Sequence, residues 1–201
     1  MTMFKQSSRM LLAAMPGRHV AVGLLSLILA GLFIAHARGQ PTTSTEYELK
    51  AAFIFNFAKY IRWPASSTAE VNKPFVIGLI GKDPFGSVLD DTMRGQNIDS
   101  RVVVVRRFAR IDDIVNCNIL FVGSSERGNL QSIFAALRKA PVLTVSDMDQ
   151  FAESGGMINL ITEANHVRFA INLEAVERVG LKPGSQLLRL ARPVTESKAG
   201  R

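Results

Sequence analysis

Few residues in this chain have the type and spacing that chemistry needs. His166-Val167-Arg168 alternates as a strand does, and a period of two puts His166 and Arg168 on one face, where two donors could hold an anionic group. The simpler reading is a solvated edge strand whose charges guard against pairing with another sheet. Arg62-Trp63-Pro64 falls where a helix should stop, and a planar guanidinium beside open helix carbonyls suits a carboxylate or phosphate. Arg62, Trp63, His166 and Arg168 are therefore the candidate residues for binding a partner or ligand. The Gly155-Gly156-Met157 turn is a further signal without an evident structural duty.

Other chemistries lack their parts. Gly78, Gly81 and Gly86 do not fit G-x-G-x-x-G, and Gly81-Lys82 is followed by Asp83 where a phosphate-binding loop needs Ser or Thr. A tight turn over Gly81 to Gly86, with Phe85 packed inward, explains these residues better. Gly123-Ser124-Ser125-Glu126-Arg127 lacks the second glycine of a nucleophile elbow. His19 and His36 precede residue 38, so His166 is the only histidine in the rest of the chain, and a histidine-rich metal site is excluded. Cys117 is the sole cysteine, which rules out an intrachain disulfide. Just before Ile119-Leu120-Phe121-Val122, it reads as a small buried apolar side chain at a strand start. Asp112, Asp113, Asp147 and Asp149 read as helix-start carboxylates. No enzyme, cofactor or metal is expected.

The elements that would carry the candidate residues follow from patterning. Thr45-Glu46-Tyr47-Glu48 fits a capping box, so a helix should open there and run to Trp63-Pro64. Phe75 to Ile80 is a buried strand, followed by the 81–86 turn and a helix over Ser87 to Met93. Strands are expected over 101–105, 118–122 and 142–145. Helices should cover about 111–115, 128–139 and 147–153. This alternation implies a doubly wound, mostly parallel sheet. The runs 157–161 and 167–172, separated by five residues, should form an antiparallel hairpin at one edge. Amphipathic helices over 173–179 and 185–191 close the pattern.

The N-terminus bears on compartment. Of the 24 Lys and Arg behind the net charge of +7, three lie in the first 37 residues, where no acid occurs. A basic start, an apolar run from Val20 to Ala35 and Ala35-His36-Ala37 read as a cleavable signal peptide over residues 1–37. The apolar run is shorter than the ~20 residues a spanning helix wants. A flexible leader over 38–44, one domain over 45–194 and a polar tail over 195–201 complete the expected organisation. No run of three basic residues occurs after the leader, which argues against nucleic acid as the partner.

Several separated stretches carry a resemblance. Glu48-Leu-Lys-Ala-Ala-Phe-Ile-Phe-Asn-Phe-Ala-Lys-Tyr-Ile-Arg-Trp-Pro64, Cys117-Asn-Ile-Leu-Phe121, Val142-Leu-Thr-Val-Ser-Asp147, Phe151 with Gly155-Gly-Met-Ile158, and Phe169-Ala-Ile-Asn172 before Leu187-Leu-Arg-Leu-Ala191 resemble the YfiR/HmsC-like family of exported proteins. The resemblance implies a Rossmann-like three-layer α/β sandwich and a periplasmic regulator without a cofactor. It implies repression of an inner-membrane diguanylate cyclase through that enzyme's periplasmic domain, relief by an outer-membrane lipoprotein, and readouts in cyclic-di-GMP, biofilm and exopolysaccharide. A homodimer and a small-molecule ligand remain open, the latter as an alternative role as a periplasmic receptor without a cyclase partner. Some relatives have intrachain disulfides, and here Cys117 departs from them by having no partner.

Overall fold

The computed structural model describes residues 43–64, 73–114 and 116–194; the expected signal peptide and the polar tail lie outside them, as does most of the expected leader. In chain order the elements are α1 (Thr43–Tyr60), β1 (Ile61–Arg62), β2 (Phe75–Ile80), α2 (Ser87–Met93), β3 (Asn97–Ile98), β4 (Arg101–Phe108), β5 (Ile119–Val122), α3 (Leu130–Leu137), β6 (Leu143–Ser146), β7 (Ile158–Glu163), β8 (His166–Asn172), α4 (Leu173–Arg178), β9 (Lys182–Pro183), α5 (Ser185–Leu190) and β10 (Arg192–Val194). Short 3-10 turns cover Ile111–Asp113 and Ser124–Asn129.

One eight-stranded sheet runs in the order β10-β8-β7-β6-β5-β2-β4-β3. Its centre, β4-β2-β5-β6-β7, is parallel throughout. These strands count 2-1-3-4-5 in chain order, the second doubly wound order and not the Rossmann order, and the order reverses between β2 and β5. β8 runs antiparallel to β7, as the hairpin pattern requires, and β3 runs antiparallel to β4 at the other edge. β10 lies outside β8 and parallel to it.

Alternation along the central strands divides the core in two. Phe75, Ile77 and Leu79 of β2 join Ile119, Phe121, Leu143 and Val145 under α1 and α2. Val76, Ile80, Leu120 and Val122 face the other way, under Leu130, Ile133 and Leu137 of α3 and the segment holding Met148 and Phe151. Both faces of a parallel sheet must be covered, which is why β2, β5 and β6 are buried at every position. Phe57 of α1, fully buried, meets Phe169 of β8 edge-on at 5.1 Å between ring centroids. Truncating a phenylalanine so placed costs about 3–5 kcal/mol.

Several boundaries differ from the expected ones. α1 opens at Thr43, so Thr45 sits inside the first turn and not at its cap. Residues 147–153 are turns instead of a helix, because Gln150 takes a φ of 61° and the Phe151 amide donates to the Asn159 side chain. The hairpin strands reach further than expected and turn through Ala164-Asn165, both at positive φ, a two-residue loop of the kind that matches strand twist. The two-residue strands β1 and β9 pair as a separate antiparallel ribbon beside the end of α1.

Candidate functional site

α1 crosses one face of the sheet, with its first turns at the carboxyl edge of the parallel strands and its last at the amino edge. At the carboxyl edge Lys50, only 4% exposed, places Nζ 2.7 Å from Glu46 Oε1 and 2.8 Å from Asp147 Oδ2, the residue that follows β6. The same ammonium lies 4.5 Å from the centroid of the Tyr47 ring, and the Tyr47 hydroxyl donates to Asp147 Oδ2 at 3.0 Å. Thr162 of β7 donates to Glu46 Oε1 at 2.7 Å. Hydrogen bonding to Lys50 holds the Glu46 carboxyl below its usual range. Burial pulls the Lys50 ammonium down, but hydrogen bonds to Asp147 and Glu46 outweigh it and the net direction is up. Burial and the neighbouring Asp147 charge push the Tyr47 phenol up. Every charge here has its answer inside the chain. Asp147 is thus a half-buried partner of α1 and not a helix-start carboxylate, a role that sequence separation of nearly a hundred residues conceals.

The crevice where the strand order reverses is the default ligand position in a doubly wound sheet, and here the chain fills it. The Lys82 amide donates to Ser125 Oγ at 2.8 Å. A Cβ on Gly123 would lie 2.3 Å from the Lys82 carbonyl oxygen, so only glycine lets the two loops close this far. The amides of Phe85 and Gly86, which a phosphate would need, donate to Asp83 Oδ1 at 2.7 and 3.2 Å. Arg107 of β4 answers that carboxylate through Nε at 2.8 Å and grips Asp90 of α2 with both terminal nitrogens. Phe85 is buried against Phe121 at 4.9 Å, the inward packing expected of this turn.

The amino edge is built differently. Trp63 packs edge-on to Phe75 at 5.1 Å, and its indole Nε1 is a buried donor with no acceptor among the described residues. Arg62 is exposed in β1, across from Lys182 of β9, and Tyr60 is 41% exposed. The Gly184 amide donates to the Tyr60 carbonyl at 2.8 Å, fixing the ribbon against the helix end. Tyr, Trp and Arg are the types that dominate binding energy at interfaces.

His166 and Arg168 stand elsewhere. β8 starts at the carboxyl edge, where His166 pairs with Glu163 of β7, and its Nδ1 lies 2.8 Å from the Ala164 carbonyl oxygen in its own turn. Phe169 and Ile171 point toward α1, so His166 and Arg168 face away from it, both exposed. Glu163 on that face is gripped by Arg192 at 2.7 and 2.6 Å, and this pairing, followed by the nearby Arg168 charge, holds its carboxyl down. An 18-residue helix is about 27 Å long, so Arg62 with Trp63 and His166 with Arg168 occupy opposite edges and opposite faces. They are two surfaces and not one pocket.

Cys117 is buried just before β5, with Sγ 2.9 Å from the Ile119 carbonyl oxygen. Burial pushes its thiol up to about 12, so it is a packed, unreactive side chain. Among the described residues no group of three or more His, Cys, Asp or Glu is placed to hold a metal ion, and no helix is long and apolar enough to cross a membrane. Residues 47–192 match the model of the YfiR/HmsC-like family, and the chain belongs to that family.

Proposed function

We propose that this chain, a member of the YfiR/HmsC-like family, is a periplasmic regulator that represses an inner-membrane diguanylate cyclase by binding its periplasmic domain. The family match over residues 47–192 carries this reading, since it takes in every strand of the described sheet but the last two residues of β10, and helices from both of its faces. The filled crevice between β2 and β5 supports it, because the amides that would cradle a nucleotide are bonded to Asp83 and Ser125 instead. Regulation then runs through protein contact and lowers cyclic-di-GMP, biofilm and exopolysaccharide. An outer-membrane lipoprotein is the proposed relieving partner, and a homodimer the proposed assembly. Export by cleavage of residues 1–37 would deliver the domain to that compartment.

The amino-edge surface of Tyr60, Arg62 and Trp63 is the proposed contact with the cyclase. It joins an exposed aromatic, an exposed guanidinium and a buried indole donor without an acceptor among the described residues. His166 and Arg168 offer a second surface of hydrogen-bond donors at the far edge, suited to a separate acidic partner. Deleting the gene should raise cyclic-di-GMP and surface attachment, and returning it should reverse both. Unchanged nucleotide levels in a strain that makes the protein would overturn the reading.

A further inference from the structure

A half-open cleft lies on the face of the sheet away from α1, between α3, α4 and the turn before β7. It encloses about 260 Å³, just under the ~300 Å³ at which small-molecule pockets begin. Phe134, Leu137, Met157 and Val179 give it apolar walls, and Gly155 with Met157 contributes the glycine turn to one side. Its charged lining is Arg138 and Arg178, with no carboxylate among the lining residues. Arg178 reaches Glu174 at 3.2 Å, one helical turn back, whereas Arg138 has no ion pair or side-chain hydrogen bond among the described residues. Thr144, 2% exposed, also lines the cleft. Its Oγ accepts the Met157 amide at 3.1 Å and makes no other hydrogen bond among the described residues, which leaves its hydroxyl proton without an acceptor.

We propose that this cleft is a binding site for a small organic carboxylate with an aromatic or branched apolar body. The carboxylate takes the Arg138 and Arg178 guanidinium groups, which donate in pairs to such an anion. The apolar body lies against Phe134 and Met157, and a second acceptor on the ligand receives the Thr144 proton. The volume limits the occupant to roughly the size of a substituted benzoate. Such a site stands whether or not a cyclase is the partner, because none of its residues belongs to the surfaces assigned above.

The test is calorimetric titration of the purified protein with 4-hydroxybenzoate, which carries an anion, a ring and a second acceptor. Saturable one-to-one binding with a Kd of about 1 mM or tighter is expected for a ligand of this size. Arg138→Ala, at an exposed position, should weaken it about tenfold. Ala135→Trp, also exposed and on the cleft wall, should abolish it while leaving the melting curve in place. 4-Hydroxybenzyl alcohol, which lacks the charge, should bind at least about tenfold more weakly. Absence of saturable heat with the wild-type protein, equal binding by Ala135→Trp, or equal affinity for the alcohol would each overturn the proposal.

Discussion

In its first turns α1 places Glu46, Tyr47 and Lys50 against Asp147 and Thr162; just past its last turn come Arg62 and Trp63 beside the β1–β9 ribbon. The first group is closed on itself, with each charged side chain within 3 Å of an internal partner. The second leaves a buried indole N–H without an acceptor among the described residues and a guanidinium in solvent. An unmet buried donor costs about 1–3 kcal/mol, a penalty the carboxyl-edge cluster avoids entirely. The contrast separates polar residues that hold the helix in place from those open to a partner. Charge content alone does not make that distinction; satisfaction does.

The largest way to test the contrast is to break the closed end. Lys50→Met keeps the side-chain length and leaves Glu46 and Asp147 facing each other without a cation. Removing one member of a buried pair costs about 3–5 kcal/mol, and the partial exposure of Glu46 puts the expectation at the lower figure. Urea unfolding should show it as a lower midpoint with an unchanged slope. Lys50→Met with wild-type stability would mean that the cluster does not pin α1.

The same cluster sets a pH dependence. The folded state depresses the Glu46 carboxyl below its ordinary 4.5, so its contribution is complete above that value and is lost as pH falls through the lower folded value. Asp90, held down by Arg107, acts in the same direction below its ordinary 3.8. Melting temperature should therefore fall as pH drops below about 4.5, and Glu46→Gln should flatten part of that fall. A Glu46→Gln profile that superimposes on wild type would remove Glu46 from the account.

The open end should behave in the opposite way. Trp63→Phe keeps a ring against Phe75 and deletes the unmatched donor, so stability should hold or rise slightly. Arg62→Ala and Arg168→Ala, both exposed, should shift stability by no more than about 0.5 kcal/mol. A large loss of melting temperature in any of the three would make that residue structural.

Cys117 should give the smallest effect. With its thiol buried and pushed up to about 12, it should resist alkylation at pH 8 until the protein unfolds. Melting curves with and without reductant should overlay, since no second cysteine exists. A reductant-dependent shift would point to a bridge between two copies of the chain.

Much of the fold was legible because short-range signals and tertiary needs agreed. β2 and α2 fall on the expected residues, and Pro74, Gly81 and the uninterrupted apolar run explain why. The turns over 147–153 were not legible, because the amide of Phe151 is claimed by Asn159 on a strand that comes later in the chain. β10 was missed for a similar reason: Arg192-Pro193-Val194 has no strand signature and is held by pairing with β8. At the site, the motif containing Arg62 and Trp63 could be read as a helix end, but the missing acceptor for the indole could not. Lys50 and Asp147 carried no local sign of each other. Nor did any local pattern in the sequence tell that Arg62 with Trp63 and His166 with Arg168 stand a helix length apart, because α1 sets that distance.

The open end of α1 is the proposed point at which regulation is exerted. Cyclic-di-GMP should be measured in a deletion strain carrying either the wild-type gene or the Arg62→Ala form, with matched envelope levels of the two proteins. Wild type should restore the low level, and Arg62→Ala should leave it raised with its melting temperature unchanged. Full repression by Arg62→Ala would contradict it.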